Sequence, residues 1–103
     1  MQRGNFILGE SVAEFEVESA RRCGQEHAIR VSDGTGALYL ALRALGVGPG
    51  DEVVTTPMSW VATGNAILAL GAIPVFADVT DDFNIDPCAV EAAITARTKV
   101  LVP

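Results

Sequence analysis

The sequence predicts an α/β protein built on a parallel sheet. Helix-like and strand-like segments alternate along the chain, and short connections rich in glycine and proline join them. Alternation of this kind is the pattern of βαβ units with right-handed crossovers. In addition, half of the residues are hydrophobic, and no charged residue occurs between Val53 and Ala77. Uncharged, apolar strands are typical of a sheet that is covered on both faces.

A membrane span is the alternative interpretation of the uncharged run, because its length could cross a bilayer. Pro57, Gly64, Gly71 and Pro74 interrupt the run, and no basic flank follows it. These breaks favour a strand, a helix, a turn and a second strand, so no membrane partner is expected.

The first predicted element is a helix from Ser11 to about Cys23. Ser11 and Glu14 fit a capping box at its start. Gly24 follows as a residue that can adopt positive φ and end the helix. Phe15 lies on the predicted inner side and is expected to anchor it in the core.

The alternating part begins with a strand over 28–32, a helix over 35–45, a Pro49–Gly50 turn of type II and a strand over 52–56. The helix over 35–45 is apolar nearly all round, which predicts burial. The remaining predicted elements are, in order, a helix over 60–70 capped by Ser59 and closed by Gly71, a strand over 73–79, a helix from Pro87 to about Ile94 with Asp86 as its N-cap, and a strand over 99–102.

Functional groups of parallel sheets gather beyond the carboxyl ends of the strands. In this sequence those ends are Ser32–Gly36, Thr56–Trp60 and Asp78–Asp82. The last strand has no following helix to cover it, so we expect the chain to be the first part of a larger domain.

The turn Ser32–Gly36 leads from a predicted strand into a predicted helix. Glycines and a threonine hydroxyl at a helix N-terminus suit an anion such as phosphate. A plain tight turn, with Asp33 or Thr35 as the helix cap, is the equally weighted alternative. The lysine of a P-loop is missing, which argues against nucleoside-triphosphate hydrolysis. The glycines of Gly46–Gly50 follow a helix and precede a strand, so they are turn residues and not a dinucleotide fingerprint.

Trp60 is the one tryptophan in the sequence and follows the second predicted strand at the same edge. It is either a core aromatic at a helix start or a platform for a flat ring whose phosphate lies at Gly34–Gly36.

Lys99 is the one lysine, and it opens the last strand at its amino end, away from that edge. No lysine of this chain is therefore expected to form a Schiff base.

Other residue classes are expected to have structural roles. His27 lies away from the predicted edge, which excludes a Ser-His-Asp triad. The cysteines show no metal or redox spacing, and the aspartates after Asp78 predict a solvated loop rather than a metal site.

The net charge of −6 argues against nucleic acid as a partner. No signal peptide is recognisable near Met1, which predicts a cytoplasmic protein.

Several motifs together resemble the N-terminal part of the DegT/StrS family of sugar aminotransferases. They are Gly4-x-Phe6-Ile7-Leu8-Gly9, Gly34-Thr35-x-Ala37-Leu38, Gly48-Pro49-Gly50-Asp51-Glu52-Val53, Trp60-Val61-Ala62-Thr63, Gly71-Ala72-x-Pro74-Val75-Phe76 and Asn84-Ile85-Asp86-Pro87. The resemblance covers almost the whole chain with unbroken spacing. It implies the large domain of the aspartate-aminotransferase fold (fold type I), incomplete here, with an arm and helix over 1–24 and the beginning of the large domain over 25–103.

The resemblance also implies pyridoxal 5'-phosphate as the cofactor. Gly34, Thr35 and Gly36 match the family's phosphate turn, and Trp60 matches the aromatic residue that stacks on the pyridine ring. Asp33 stands where serine or asparagine is common, so we expect its carboxylate to point away from the phosphate or to cap the helix. No catalytic residue is assigned, because the family's Schiff-base lysine and the aspartate that pairs with the pyridine nitrogen match no position of this chain.

The function implied is amino transfer from glutamate or glutamine to a nucleotide-linked keto-sugar, in an enzyme that is a homodimer. The 103-residue chain alone is expected to be inactive. One alternative is an inactive remnant or scaffold that binds phosphate or a partner. Another is an independent flavodoxin-like phosphate binder, which would fold as a monomer.

Overall fold

The computed structural model describes residues 9–103, so most of the arm predicted over 1–9 lies outside the described residues. The chain divides into two compact units, Met1–Ser32 and Asp33–Pro103. The predicted division after residue 24 concerns domains of a larger fold and stays a prediction.

In the first unit, helix α1 spans Glu10–Arg22. Its N-cap is Gly9, with no side-chain cap bond, so the predicted capping box at Ser11 is wrong: Ser11 lies inside the first turn. The predicted helix end is confirmed, because Gly24 has a φ of 64° and its N–H donates to the Arg21 carbonyl.

Two other predictions for this unit are wrong. The Phe15 side chain is 64% exposed rather than a core anchor, since α1 is the one helix or strand among the described residues of this unit. The strand predicted over 28–32 does not form. A strand exists only through bonds to a neighbour, and here the Arg30 N–H donates instead to the Glu16 carboxylate, at 3.0 Å.

The second unit contains the elements α2 (Gly34–Ala44), β1 (Glu52–Thr55), α3 (Ala62–Ala69), β2 (Ile73–Phe76), α4 (Pro87–Ala93) and β3 (Thr98–Val102). The strands form a parallel sheet in the order β2-β1-β3. All four residues of the central strand β1 are buried, whereas both outer strands are partly exposed. The α/β class and the parallel sheet are therefore confirmed, with three strands in place of the predicted four.

The core of the second unit lies between the sheet and helices α2 and α3. Its buried members are Leu42, Val47, Val53, Ala66, Ile67, Leu70 and Ala72. Leu42 is the buried residue of α2, and Leu40 is 48% exposed, so the prediction that this helix is buried all round is wrong. Its outer face is exposed because no element of residues 33–103 packs against it. Apolar side chains are buried only where another part of the protein covers them.

The starts of two helices depend on different turn chemistry. Asp86 caps α4 by accepting the Cys88 N–H at 2.8 Å, with Pro87 in the first turn, as predicted. By contrast, Ser59 does not cap α3, which begins at Ala62 after Val61. The hydroxyl of Thr56 accepts the Met58 N–H at 3.1 Å, so a turn of this type occupies the segment where the helix was predicted to start.

Candidate functional site

The helices α2 and α3 run side by side in the same direction. They pack against each other, and their C-terminal turns touch: a Cβ atom on Gly71, after α3, would lie 3.2 Å from Cγ of Pro49, after α2. Since the C-terminal ends are adjacent, the N-termini also point towards one end of the unit. That end is the carboxyl edge of the sheet, because α3 begins after the carboxyl end of β1.

Helix α2 begins at the predicted anion-binding turn. Asp33 has an extended backbone and is the N-cap, and its Oδ1 accepts the Gly36 N–H at 2.8 Å. The Asp33 carbonyl accepts the Ala37 N–H at 3.1 Å. The expectation that Asp33 caps the helix is thereby confirmed.

The remaining donors of this turn are the N–H groups of Gly34 and Thr35 and the Thr35 hydroxyl. Both residues are exposed, and none of these groups donates to another of the residues 9–103. A Cβ atom on Gly34 would meet nothing within 4 Å, so the space beside the helix start is open. The turn therefore offers unpartnered donors to an anion, while the Gly36 N–H is engaged by its own helix cap.

The segment after β1 forms the second part of the site. Trp60 is 79% exposed, so it is not a core aromatic. Together with neighbouring residues it lines an open pocket of about 220 Å³, formed by Thr56, Pro57, Ser59, Trp60, Val61, Thr63, Gly64 and Phe76. An exposed indole beside an apolar pocket at a sheet edge can stack on a flat ring.

Sequence reasoning missed Phe76 and Thr63 as pocket residues. Phe76 is the last residue of β2, and the strand was predicted to continue to residue 79. Strand ends are poorly defined by composition, because apolar residues occur on both sides of the last ladder pair, Thr55–Phe76: Ala77 and Val79 follow the strand although they are not part of it. Thr63 lies in the first turn of α3 and could have been found from the helix start alone.

Lys99 lies at the opposite end of the sheet from this pocket. Its Nζ donates to the Gly46 carbonyl at 2.6 Å and to Asp51 Oδ2 at 3.1 Å, and both acceptors precede the amino end of β1. The predicted placement of the one lysine, away from the carboxyl edge, is therefore confirmed.

The aspartates after β2 form a hairpin rather than a cluster of ligands. Val79 pairs with Ile85, and the Asp82 carboxylate accepts the hydroxyl of Thr80, which lowers the pKa of Asp82. Within residues 9–103 no group of histidine, cysteine or acidic side chains is arranged to hold a metal ion.

Over the same residues, no helix is both long and apolar enough to cross a membrane.

Comparison with known proteins finds curated relatives that match the whole length of this chain. It is 48% identical to the spore coat polysaccharide biosynthesis protein SpsC of Bacillus subtilis over 104 aligned positions, which cover 100% of this chain and 27% of SpsC. It is 44% identical to UDP-2-acetamido-2-deoxy-3-oxo-D-glucuronate aminotransferase of Pseudomonas aeruginosa, covering 100% of this chain and 29% of that protein. The chain thus spans less than a third of the length of these curated relatives.

Solved structures agree with the sequence comparison. The sugar aminotransferase homologue Spr1654 of Streptococcus pneumoniae, in its PLP form, superposes with a TM-score of 0.92 at 37% identity, covering 98% of this chain and 26% of that one. DesV of S. venezuelae superposes with a TM-score of 0.90 at 44% identity, covering 96% of this chain and 27% of that one. These neighbours are aminotransferases of fold type I, so the predicted fold class is confirmed.

The sequence model of one family matches residues 1–103, the whole of the chain, and agrees with the resemblance identified from the motifs. The chain belongs to the DegT/DnrJ/EryC1/StrS aminotransferase family.

Proposed function

We propose that this chain is the N-terminal segment of a pyridoxal-phosphate-dependent nucleotide-sugar aminotransferase. The enzyme moves an amino group from glutamate or glutamine to a keto group of a nucleotide-linked sugar. The observation that carries the proposal is the open start of α2, with unpartnered donors at Gly34 and Thr35, at the same end of the unit as the exposed Trp60.

The residues at this edge fit the cofactor by their chemistry. Two backbone N–H groups and a hydroxyl at a helix N-terminus match a phosphate dianion, and the helix dipole favours the negative charge. Trp60 offers a flat apolar face to the ring. When bound, pyridoxal phosphate supplies the electron sink for amino transfer. Gly34 and Thr35 would hold the phosphate, and Gly36 would join them if its N–H is shared with the Asp33 carboxylate.

The lysine that links the cofactor covalently is not Lys99 in this proposal. The Lys99 ammonium is bound to Gly46 and Asp51 at the amino end of the sheet, opposite the phosphate turn. We therefore expect no transamination by the 103-residue chain alone. The active protein is also proposed to be a homodimer and to be cytoplasmic; the UDP-linked sugars in its relatives' names support the substrate class of this proposal.

The proposal is tested by measuring binding of pyridoxamine 5'-phosphate to the full-length protein by calorimetry. This amine form cannot make a Schiff base. The measured affinity therefore depends on the phosphate turn and on Trp60, and not on a covalent bond to a lysine. We expect Thr35→Val and Trp60→Leu each to weaken binding by about tenfold or more, through loss of a charge-assisted hydrogen bond and of ring contact respectively. Thr35→Ser and Trp60→Phe should recover most of the affinity, because they restore a hydroxyl and a ring.

Phe15→Leu is the matched control, because it removes an exposed aromatic side chain from the other unit. Equal affinities for the wild type, Thr35→Val and Trp60→Leu would contradict the site. Cofactor binding without amino transfer from glutamate to a keto-sugar nucleotide would instead favour the inactive scaffold.

A further inference from the structure

The motif Gly48-Pro49-Gly50-Asp51-Glu52-Val53 has no part in the proposed cofactor site, because it lies at the amino end of β1. Its first carboxylate joins two segments that are far apart in sequence. Asp51 Oδ2 accepts the Gly48 N–H at 2.9 Å inside its own turn, and also the Lys99 Nζ at 3.1 Å from β3. The same ammonium donates to the Gly46 carbonyl, so Lys99 binds the turn at two points.

The second carboxylate is buried and bound to the segment that leads into β3. Glu52 is 4% exposed, and it accepts hydrogen bonds from the Thr95 hydroxyl and the Arg97 guanidinium. Its backbone N–H donates to the Arg97 carbonyl at 2.9 Å. A carboxylate buried to this extent is tolerated only when it is paired, so each of these donors matters.

The ladder between β1 and β3 is irregular at this point. Glu52 pairs with Thr98, but Val53 pairs with Val100, so Lys99 has no partner in the ladder. An unpaired extra residue of this kind is a β-bulge, which bends a strand and changes its register. Lys99 is therefore the bulge residue itself, and the donors to Glu52, Thr95 and Arg97, precede it in the chain.

We propose that Asp51 and Glu52 form a two-carboxylate clasp that holds β3 in its bulged register on β1, and that acid releases β3 before it releases β2. Of the two outer strands, the side chains of the clasp bind β3 and the segment that leads into it, and they do not bind β2. Strand β2 contains no charged residue, and it meets the same end of β1 through the backbone bond from Ile73 N–H to the Asp51 carbonyl, at 2.9 Å. The inference is independent of cofactor binding.

The charged groups around the clasp are few. Lys99 faces Asp51, and Arg97 faces Glu52. Helix α4 also packs against β1, and its one charged residue, Glu91, is exposed and makes no side-chain bond to the clasp within residues 9–103. The clasp therefore pairs two anions with two cations, and protonation of either anion leaves a cation unpaired.

Acid sensitivity follows from the hydrogen bonds. The Thr95 hydroxyl, and then the Arg97 guanidinium, hold the pKa of Glu52 below its ordinary value of 4.5, against the opposing effect of burial. Lys99 holds the pKa of Asp51 below 3.8, with help from the Gly48 N–H. Groups with lowered pKa stabilise the fold above their ordinary values, and this contribution disappears as the pH falls through the folded-state pKa.

The test is hydrogen exchange of two amides in the full-length protein. The Glu52 N–H bonds to the β3 side and the Ile73 N–H bonds to the β2 side, at the same end of the sheet and at the same length, 2.9 Å. Glu52→Gln at neutral pH imitates protonation. We expect it to speed exchange at residue 52 by about tenfold or more after correction for intrinsic rates, with less than about a twofold change at Ile73.

Lys99→Met is the second variant, and it is the milder one because it keeps the aliphatic stem and leaves no buried charge. It should speed exchange at residue 52 in the same selective way, by a smaller factor. Glu91→Gln, which removes an exposed negative charge, should change neither amide. Equal acceleration of both amides, or acceleration of neither in Glu52→Gln and Lys99→Met, would overturn the clasp.

Discussion

Single residues in this chain show how local backbone geometry departs from what the residue type favours. Phe83 is the one described residue other than glycine with positive φ, at 66°, and its side chain is 69% exposed. It lies at the tip of the hairpin that pairs Val79 with Ile85, where the Phe83 N–H donates to the Thr80 carbonyl at 2.9 Å. The left-handed conformation costs a bulky residue about 1–2 kcal/mol, and this cost is not recovered by burial.

Replacing Phe83 by asparagine should therefore stabilise the protein by about 1 kcal/mol, because asparagine tolerates positive φ. The measurement is the midpoint of urea unfolding. Phe15→Asn is the matched control: it is the same change at an exposed phenylalanine, but inside α1, where asparagine is a poorer helix former. If both substitutions destabilise, positive φ at Phe83 is not a source of strain.

Among the elements, helix α3 shows the clearest division between a buried and an exposed side. Ile67 is 0% exposed and belongs to the core cluster, whereas its neighbour Leu68 is 60% exposed. The uncharged sequence of the helix does not reveal this division, because both residues are equally apolar. Packing against α2 and β2 decides which side is buried.

Ile67→Ala should destabilise the protein by about 2–5 kcal/mol, since it removes buried methyl groups and leaves a cavity. Leu68→Ala removes a similar volume from the exposed side and should cost less than about 1 kcal/mol. The comparison is made by urea unfolding of the two variants side by side. Comparable losses for both would show that another part of the protein covers Leu68.

At the scale of the whole molecule, several carboxylates stabilise the folded state through charge. Asp51, Glu52 and Asp82 in the second unit and Glu18 in the first all have a pKa held below the ordinary value by hydrogen bonds. For Glu18 the donors are Arg21 first and then Arg22. Every one of these shifts has the same sign, so they act together on the pH dependence of stability.

The free energy of unfolding should accordingly be level near neutral pH and fall as the pH is lowered below the ordinary values of 4.5 and 3.8. In that range the unfolded chain binds more protons than the folded one. Urea unfolding at a series of pH values measures the slope. Glu52→Gln and Asp82→Asn should each reduce it, and their effects should add because the two sites share no partner. An unchanged slope in both variants would contradict this assignment.

Much of the architecture could be predicted from the sequence because its signals are local. Glycines with positive φ end α1, α2 and α3 at Gly24, Gly46 and Gly71, and Asp86 with Pro87 begins α4. The Gly34–Gly36 turn and Trp60 were identified as candidate site residues from their positions next to apolar runs. Local turn chemistry and hydrophobic periodicity act over a few residues, so they can be read without knowing the fold.

Other features depend on partners that are distant in sequence. The sequence was sufficient to predict the α/β class, the order of helices and strands in the second unit, and the family to which the motifs point. The three-dimensional contacts were needed to show that 28–32 is not a strand, that Phe15 and Trp60 are exposed, and that Asp51 and Glu52 bind the segment around Arg97 and Lys99. Strand pairing, burial and ion pairing are properties of two surfaces that meet, and one local stretch of sequence contains only one of them.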